Sequence, residues 1–384
     1  MSFIPFELEK WQSDYEDDIQ FNLADSGVHP VALGELVEGP VAVARLLETP
    51  LHYPPVNGSR CLRQTISALY EGADVDNVLV TVGAAEANAI TLQALLEPGD
   101  EVVVMEPCYR QVWGTMQNLG CRVRVFTLDP ANDWRPRIDE LEAMVTPRTK
   151  LIGVTNPNNP TGAILTRKEM NRILAIAARN NAWLLADEVY RGSERLTDTE
   201  TPSFYGAYER VVATNSLSKA YGLSGLRIGW VVAPRGTVQQ IQRRHEYATI
   251  STGMLSMRMA ERALSEPLRS RLLARNRKLI RDGYARIESW VQRHNRLLSV
   301  VPPQATALVF VRYNLKMSSV ELAQLLRRKA NVLVAPGEYF GVDQHLRVTH
   351  GLKEEYLTEA LNRMTVTLEG LVSDKRVRSP SAGR

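Results

Sequence analysis

Residues 216–230 read Ser-Leu-Ser-Lys-Ala-Tyr-Gly-Leu-Ser-Gly-Leu-Arg-Ile-Gly-Trp, a loop rich in serine and glycine between two predicted strands. Ser216 and Ser218 precede Lys219, and an arginine, Arg227, follows eight residues after the lysine. Hydroxyl groups and the forked guanidinium of arginine suit a phosphate. A lysine amine beside such a phosphate can form an imine with a carbonyl group. Because a lone loop lysine is usually a solvated surface residue, it is the neighbours that indicate a site here.

The segments around this loop alternate between strand and helix patterns. Short β-branched or apolar runs predict strands at residues 78–82, 101–105, 122–126, 150–155, 183–186, 211–214 and 228–232. Helical patterns lie between them, at 84–96 and 167–180 among others. Strands that alternate with helices of this length predict an α/β fold with a mostly parallel sheet covered by helices.

The pattern changes after about residue 247. A long helical stretch at 257–294 is followed by predicted strands at 298–301, 307–313, 332–335 and 346–349 and by predicted helices at 320–329 and 354–371. We therefore expect a large domain at 48–280 and a smaller α+β domain at 281–372. Residues 1–47 are predicted to pack with the small domain, and the basic tail at 373–384 is predicted to be disordered.

Composition excludes several classes of protein. The 384 residues include 46 Lys and Arg against 43 Asp and Glu, and the tail alone accounts for this excess. The folded part is thus close to neutral, which argues against a nucleic-acid partner. Three widely spaced cysteines, Cys61, Cys108 and Cys121, predict neither a disulfide framework nor a metal site. With no apolar run long enough for a bilayer and no signal-peptide pattern, we expect a cytoplasmic protein without a membrane partner.

Polar side chains follow two other predicted strands. Residues 183–190 read WLLADEVY, so a strand runs directly into Asp187 and Tyr190. A carboxylate at the carboxyl end of such a strand points into the crevice where open α/β sheets bind ligands, although it can also cap a helix. Residues 150–162 read KLIGVTNPNNPTG, where a strand ends in a turn that can fix the amide of Asn159, or that is only a turn.

Three further features are weaker evidence for a binding site when each is taken alone. Gly83, Ala84 and Ala85 follow a strand and open a helix, where small residues let backbone N–H groups approach an anion or simply pack closely. Tyr109 is an aromatic residue after another strand. Arg347 lies in a predicted strand of the small domain, and a buried arginine needs an anionic partner from the protein or from a substrate.

Taken together, these motifs resemble those of a known family. The ordered set NPNNPTG, ADEVY, SLSKAYGLSGLRIGW and HLRVTHG resembles the class I/II aminotransferases of fold type I, which bind pyridoxal 5′-phosphate (PLP). The resemblance extends from the stretch around Tyr53 to Arg347, nearly the whole chain. It implies a fold type I PLP-dependent transferase that moves the α-amino group of an amino acid to a 2-oxo acid in amino-acid metabolism or biosynthesis.

The resemblance also implies roles for individual residues. Lys219 would carry PLP and move the Cα proton, Asp187 would pair with the pyridine nitrogen, and Tyr109 would stack on the ring. The other implied contacts are those of Tyr190 and Asn159 with the phenolic oxygen of PLP, and those of Ser216, Ser218, Arg227 and the backbone of Gly83, Ala84 and Ala85 with its phosphate.

The substrate and a second subunit complete the implied site. Arg347 would hold the substrate α-carboxylate, next to Asn159. In the family, the tyrosine that corresponds to Tyr53 reaches the phosphate bound by the neighbouring subunit. The resemblance therefore implies a homodimer with composite active sites.

A narrower resemblance concerns the N-terminal segment. Residues 25–30, Asp-Ser-Gly-Val-His-Pro, together with residues 34–36 and the lysine loop, resemble capreomycidine synthases, PLP enzymes that cyclise a hydroxylated arginine. Cyclisation or oxidation of an arginine-type substrate is therefore an alternative to transamination. Gly27 and His29 would lie near the substrate, with His29 either an acid–base group or a structural histidine. The acidic residues that could receive a guanidinium include Glu35, Glu188, Glu194 and Glu338, although each is more simply a solvated surface residue.

A non-catalytic PLP sensor, such as part of a transcription regulator, is the remaining alternative. It would require a DNA-binding module. The N-terminal segment is acidic and shows no helix-turn-helix pattern or basic stripe, which favours an enzyme.

Overall fold

The computed structural model describes residues 3–377, with side chains through residue 371. Its strands are β1 (Phe21–Asn22), β2 (Val78–Thr81), β3 (Glu101–Glu106), β4 (Arg122–Asp129), β5 (Arg135–Pro136), β6 (Thr149–Thr155), β7 (Trp183–Asp187), β8 (Val211–Ser216), β9 (Gly229–Val232), β10 (Leu298–Val300), β11 (Leu308–Tyr313), β12 (Val332–Leu333), β13 (Ala335–Pro336) and β14 (His345–Thr349). Every predicted strand is present within a few residues of its predicted bounds.

The helices lie mostly where the sequence predicts them. They are α1 (Glu7–Ser13), α2 (Leu33–Leu36), α3 (Pro40–Leu47), α4 (Arg60–Ser67), α5 (Gly83–Leu95), α6 (Gln111–Asn118), α7 (Ile138–Met144), α8 (Arg167–Arg179), α9 (Arg235–Ala248), α10 (Met254–Ala263), α11 (Leu268–Arg293), α12 (Ser319–Ala330) and α13 (Glu354–Val377). Local sequence signals define where several helices begin. Thr166 and Glu169 form a capping box at the start of α8, and Ser318 and Glu321 form another at the start of α12.

The central sheet has eight strands in the order β2-β9-β8-β7-β6-β3-β4-β5. Strands β4, β3, β6, β7 and β8 are mutually parallel, whereas β9 is antiparallel to both of its neighbours. Strands β3, β7 and β8 are almost entirely buried, because apolar clusters cover both faces of the sheet. The predicted α/β architecture with a mostly parallel sheet is confirmed. The carboxyl ends of β6, β7 and β8 meet at one edge, where the motif residues follow.

A second, antiparallel sheet has the order β10-β11-β14-β13 and carries Arg347 in its strand β14. The N-terminal residues pair with this part of the chain, since β1 is parallel to β12 and the indole N–H of Trp11 donates to the carbonyl of Val334. After residue 30, the N-terminal segment packs against the large sheet instead of the small one. Leu36 and Val37 lie in a cluster with Trp230 and other residues of the large sheet, because this apolar stretch covers that side of the sheet.

Three differences from the sequence prediction have simple causes. The helical stretch at 257–294 is divided into α10 and α11, because Pro267 has no N–H to continue a helix. Helix α11 also crosses residue 280, where we predicted a domain boundary, so the division of the chain into domains stays a prediction. Helix α13 runs to Val377, past the predicted start of the tail, because no Gly or Pro interrupts residues 371–377. Residues 378–384 of the predicted tail lie outside the described residues.

Candidate active site

One cavity of about 460 Å³ opens at the carboxyl ends of the parallel strands. Most of the predicted site residues line it, namely Ala84, Ala85, Tyr109, Asn159, Asp187, Tyr190, Ser216, Ser218, Lys219 and Arg227. Gly83 precedes Ala84 at the start of α5. Arg347 donates a hydrogen bond to Asn159, which lines the cavity. Two other surface grooves, of about 680 and 590 Å³, contain none of these residues.

The lysine amine lies within this cavity. The Nζ atom of Lys219 donates a hydrogen bond to the Ser26 hydroxyl over 2.7 Å. Burial lowers the pKa of Lys219 because it disfavours the ammonium form, and the carboxylate of Asp25 opposes this shift. A lowered pKa leaves more of the amine neutral, which is the form that attacks a carbonyl carbon.

Asp187 is held in place at the end of β7. Its Oδ2 accepts a hydrogen bond from Asn88 Nδ2 at 2.9 Å, and its Oδ1 accepts one from the backbone N–H of Val189 at 3.2 Å. The oxygen of the Asn88 amide accepts from Thr214 on β8 at 2.7 Å, which fixes the orientation of the amide. Burial raises the pKa of Asp187, and the Asn88 bond opposes the rise. A carboxylate fixed in this way can pair with a cationic ring nitrogen.

A chain of contacts joins Tyr190, Asn159 and Arg347. Asn159 Nδ2 lies 3.3 Å from the Tyr190 hydroxyl, and Arg347 Nη1 donates to Asn159 Oδ1 at 3.2 Å. Arg347 also donates to the carbonyl of Ala24, while its Nε is buried without a partner. Within residues 3–377 no carboxylate forms an ion pair with Arg347, which is 1% exposed. A buried guanidinium in this state favours an anionic ligand such as a substrate carboxylate.

A phosphate-sized corner forms where α5 begins. Gly83 has a φ of +75°, and a Cβ there would lie 2.6 Å from Arg227 Nη2, so only glycine lets the guanidinium approach this closely. The start of α5, the guanidinium of Arg227 and the hydroxyls of Ser216 and Ser218 line the same cavity. This donor set fits a phosphate group, and Lys219 and Asp187, which line the cavity with it, supply the amine and the carboxylate that the rest of PLP would use.

Two predicted residues lie outside the cavity. His29 bonds through its backbone N–H to the carbonyl of Gly351, and burial and the charge of Lys353 lower the pKa of its imidazole. It does not line the cavity, so the structure gives no support to His29 as an acid–base group. Gly27 is buried and accepts from the Thr349 hydroxyl at 3.0 Å. The residue of this segment that meets the lysine is Ser26.

Tyr53 also lies away from the cavity of its own chain. Its side chain is 82% exposed and borders a separate surface groove with Leu51, Met254 and Leu255. This position excludes a contact with the phosphate corner of the same subunit. It leaves the tyrosine free to meet a second copy of the chain.

The four acidic residues considered for a guanidinium are engaged elsewhere or distant. Glu194 pairs with Arg277 at 2.7 Å, and Glu188 accepts from Ser203 while burial raises its pKa to about 7. Glu35 and Glu338 do not line the cavity. Besides Asp187, the acidic residues that line it are Glu9, Glu16 and Asp25. Sequence reasoning missed Glu9 and Glu16 because an acidic N-terminal segment has the pattern of a solvated surface, whereas Asp25 belongs to the segment 25–30 that was expected near the substrate but was not assigned a role.

The hydroxyl of Tyr109 donates to Glu9 at 2.6 Å, so the predicted ring-stacking residue is linked to helix α1. Burial, together with the negative charge of Glu9, raises the pKa of Tyr109 well above its ordinary value. The tyrosine therefore stays neutral and can act as this hydrogen-bond donor. The contact places the Glu9 carboxylate at the edge of the same cavity.

Among residues 3–377, no group of three or more His, Cys, Asp or Glu side chains is arranged to hold a metal ion. Cys61, Cys108 and Cys121 are free thiols. No helix in this part of the chain combines the length and apolar character needed to cross a membrane.

Comparison with known proteins identifies the family. The family model "Aminotransferase class I and II" matches residues 38–364. Capreomycidine synthase of Streptomyces vinaceus is 30% identical over 346 residues, which cover 89% of this chain and 88% of the relative. Arginine–pyruvate transaminase of Pseudomonas aeruginosa is 30% identical over 345 residues, or 85% of this chain and 84% of the relative.

A solved structure agrees with these relatives. A PLP-dependent aminotransferase from Streptococcus suis superposes with a TM-score of 0.91 at 30% identity, covering 97% of this chain and 99% of that one. The match thus spans both sheets and the residues that line the cavity. The chain belongs to the class I and II aminotransferases, and its cofactor is PLP.

Proposed function

We propose that this aminotransferase takes the α-amino group from an amino acid with a cationic, arginine-type side chain and passes it to a 2-oxo acid. The observation that carries the proposal is the acidic wall of the cavity, formed by Glu9, Glu16 and Asp25. Carboxylates that face a substrate side chain favour a positive charge by electrostatic complementarity. The similarity to an arginine–pyruvate transaminase supports the same choice of substrate.

The two ends of such a substrate would be held by different groups. The buried guanidinium of Arg347, steadied by Asn159, would receive the α-carboxylate as a bidentate pair. The side chain would then extend towards α1, where Glu9 is fixed by Tyr109. This arrangement would leave the Cα next to Lys219.

The remaining residues act on the reacting atoms. Bound PLP supplies a conjugated electron sink that stabilises negative charge at the substrate Cα. Asp187 would keep the ring nitrogen protonated, and Tyr190 and Asn159 would lie beside the phenolic oxygen, with the Asn159 amide as a donor to it. Nζ of Lys219 would take the Cα proton, because a lowered pKa leaves more of the amine in the neutral form that can act as a base. The predicted location in the cytoplasm and the predicted biosynthetic role stay predictions.

We expect the double variant Glu9→Gln/Glu16→Gln to lose preference for cationic substrates. Each exposed ion pair contributes at most about 1 kcal/mol, so removal of both charges should raise the KM for L-arginine about tenfold. Glutamine keeps an oxygen that can accept from Tyr109, so the helix should stay in place. Steady-state kinetics with L-arginine and with a neutral amino acid measures the effect.

The matched control is Glu7→Gln/Asp17→Asn, which removes two charges from the same segment but outside the cavity. It should leave both KM values unchanged. Equal changes in KM for the cationic and the neutral substrate would contradict the assignment of Glu9 and Glu16 to the substrate side chain.

A second candidate reaction is cyclisation by elimination, or oxidation, of an arginine-type substrate. The observation that favours it is the 30% identity to capreomycidine synthase over most of both chains. The acidic wall would serve either reaction, because both act on a cationic side chain. Product analysis separates transamination, which yields a 2-oxo acid, from cyclisation, which retains the α-amino nitrogen; oxidation differs from transamination in needing no amino acceptor.

We further propose that two copies of the chain form a homodimer in which Tyr53 completes the partner's phosphate corner. The support is the exposed groove that Tyr53 shares with Leu51, Met254 and Leu255, in which the side chains of Leu51, Tyr53 and Leu255 are left in solvent. Large apolar side chains that are exposed together favour a protein interface, so a second copy is the expected cover. The composite site of the family requires such a pairing.

Mixing two inactive variants should restore activity if the sites are shared. A dimer of Tyr53→Ala and Lys219→Ala chains contains one site with both residues intact. Random pairing after co-refolding should therefore recover about a quarter of the wild-type sites. Measured activity that equals only the sum of the two separate variants, in a mixture that contains mixed dimers, would contradict a shared site.

A further inference from the structure

Residues 24–27 form a short bridge that lies across the cavity. Arg347 of β14 donates to the carbonyl of Ala24, and the Thr349 hydroxyl of the same strand donates to the carbonyl of Gly27. These bonds fix both ends of the bridge to the small sheet. The residues between them, Asp25 and Ser26, therefore have a defined position over the large sheet.

The backbone of Ser26 is also held from the large-sheet side. The hydroxyl of Tyr190 donates to the carbonyl of Ser26 at 3.2 Å, and the backbone N–H of Ser26 donates to the carboxylate of Asp25. The position of the bridge thus depends on main-chain bonds. The Ser26 hydroxyl takes no part in these bonds.

That hydroxyl meets the catalytic amine. Lys219 Nζ donates to Ser26 Oγ at 2.7 Å, and within residues 3–377 this is the one hydrogen bond made by the lysine amine. The lysine stem has four rotatable bonds and costs up to about 2 kcal/mol in entropy when it is ordered. A fixed acceptor beside Nζ therefore limits the directions in which the amine can point.

We propose that Ser26 is a positioning residue, whose hydroxyl holds the free amine of Lys219 in the orientation from which it removes the Cα proton. In that step the Cα–H bond breaks, its proton joins Nζ, and the new ammonium group keeps one N–H bond directed at Ser26 Oγ. The proposal depends on the family's proton transfer by the lysine and is independent of which amino acid is the substrate.

The orientation of the amine matters because the rate of proton transfer falls steeply when the donor and acceptor atoms are displaced. A displacement of about 1 Å can cost about a hundredfold in rate. Alanine at position 26 would leave the backbone bonds of the bridge intact but would free the amine to rotate. The expected defect is therefore in the chemical step and not in substrate binding.

The test compares Ser26→Ala and Ser26→Thr with wild-type holoenzyme. The substrate is L-arginine or, if another member of an amino-acid panel reacts faster, that amino acid, in its ordinary and α-deuterated forms. Ser26→Ala should lower kcat about tenfold to a hundredfold and leave KM within about twofold. The primary isotope effect on kcat should increase, because proton transfer becomes rate-limiting. Ser26→Thr keeps a hydroxyl and should restore most of the rate.

Ser289→Ala is the control, because this exposed serine bonds only to its own helix. It should match the wild type in rate and isotope effect. An unchanged kcat in Ser26→Ala would overturn the proposal. A slower Ser26→Ala enzyme with a raised KM and an unchanged isotope effect would overturn it as well, since the residue would then act in binding. A substrate panel in which wild-type enzyme prefers neutral amino acids bears only on the proposed cationic substrate.

Discussion

Replacement of Lys219 by alanine should abolish turnover. The amine lies within the cavity, donates a hydrogen bond to Ser26, and has a pKa that burial lowers from its ordinary value. It would supply both the covalent link to PLP and the base at Cα, and acid–base catalysis alone contributes up to about 10⁴-fold. We expect a loss of at least about 10⁴-fold in kcat, together with loss of the visible absorption of the covalently bound cofactor.

Lys278→Ala is the matched control for this variant. Lys278 is exposed on α11 and pairs with Asp282 of the same helix, so its removal should leave activity intact. Circular dichroism should show that both variants are folded. If Lys219→Ala retained turnover within tenfold of wild type, the amine would not be the catalytic base.

Replacement of Asp187 by alanine should produce the second-largest loss. The carboxylate lies at the end of β7, oriented by Asn88 and by the backbone of Val189. Without it, the ring nitrogen would lose its ionic partner and the cofactor would withdraw charge less strongly from Cα. Removal of an oriented electrostatic partner costs about 2.7–4 kcal/mol, which corresponds to about 10²–10³ in kcat.

The neighbouring residue provides a close comparison. Glu188→Gln also changes a buried carboxyl group on the same strand end, but Glu188 faces Ser203 and Phe204 and does not line the cavity. Glutamine keeps an acceptor for both partners, so kcat should remain near wild type. Stopped-flow measurement of the Cα-proton step should place the Asp187→Ala defect in chemistry. Similar rates for Asp187→Ala and wild type would remove Asp187 from its assigned role.

The sequence predicts the part of the site that depends on local order. Asp187 ends a strand of the parallel sheet, Lys219 and Asn159 each follow one, and the carboxyl ends of such strands meet at one edge. Short motifs therefore place them without knowledge of long-range contacts. The glycine at 83 belongs to the same group, because its backbone geometry is needed for the close approach of Arg227.

Other parts of the site depend on contacts between distant segments. Glu9 and Ser26 reach the cavity because β1 pairs with β12 near the other end of the chain. No local sequence pattern predicts that pairing. Asn88 is one turn inside α5, where an asparagine has no distinctive pattern. His29 was the conspicuous titratable residue of its segment, yet the backbone of residues 24–29 places it against Lys353, outside the cavity.

The most direct test of the account is the absorption spectrum of the PLP-loaded enzyme during anaerobic addition of an amino-acid panel that includes L-arginine and 3-hydroxyarginine. We expect L-arginine to remove the visible band of the bound cofactor and a 2-oxo acid such as pyruvate to restore it. A long-lived band at longer wavelength with an arginine derivative, with no recovery on adding the 2-oxo acid, would instead favour the cyclase or oxidase reaction. A spectrum that responds to neutral or acidic amino acids but not to L-arginine would contradict the proposed substrate class, and no response to any amino acid would contradict the aminotransferase site itself.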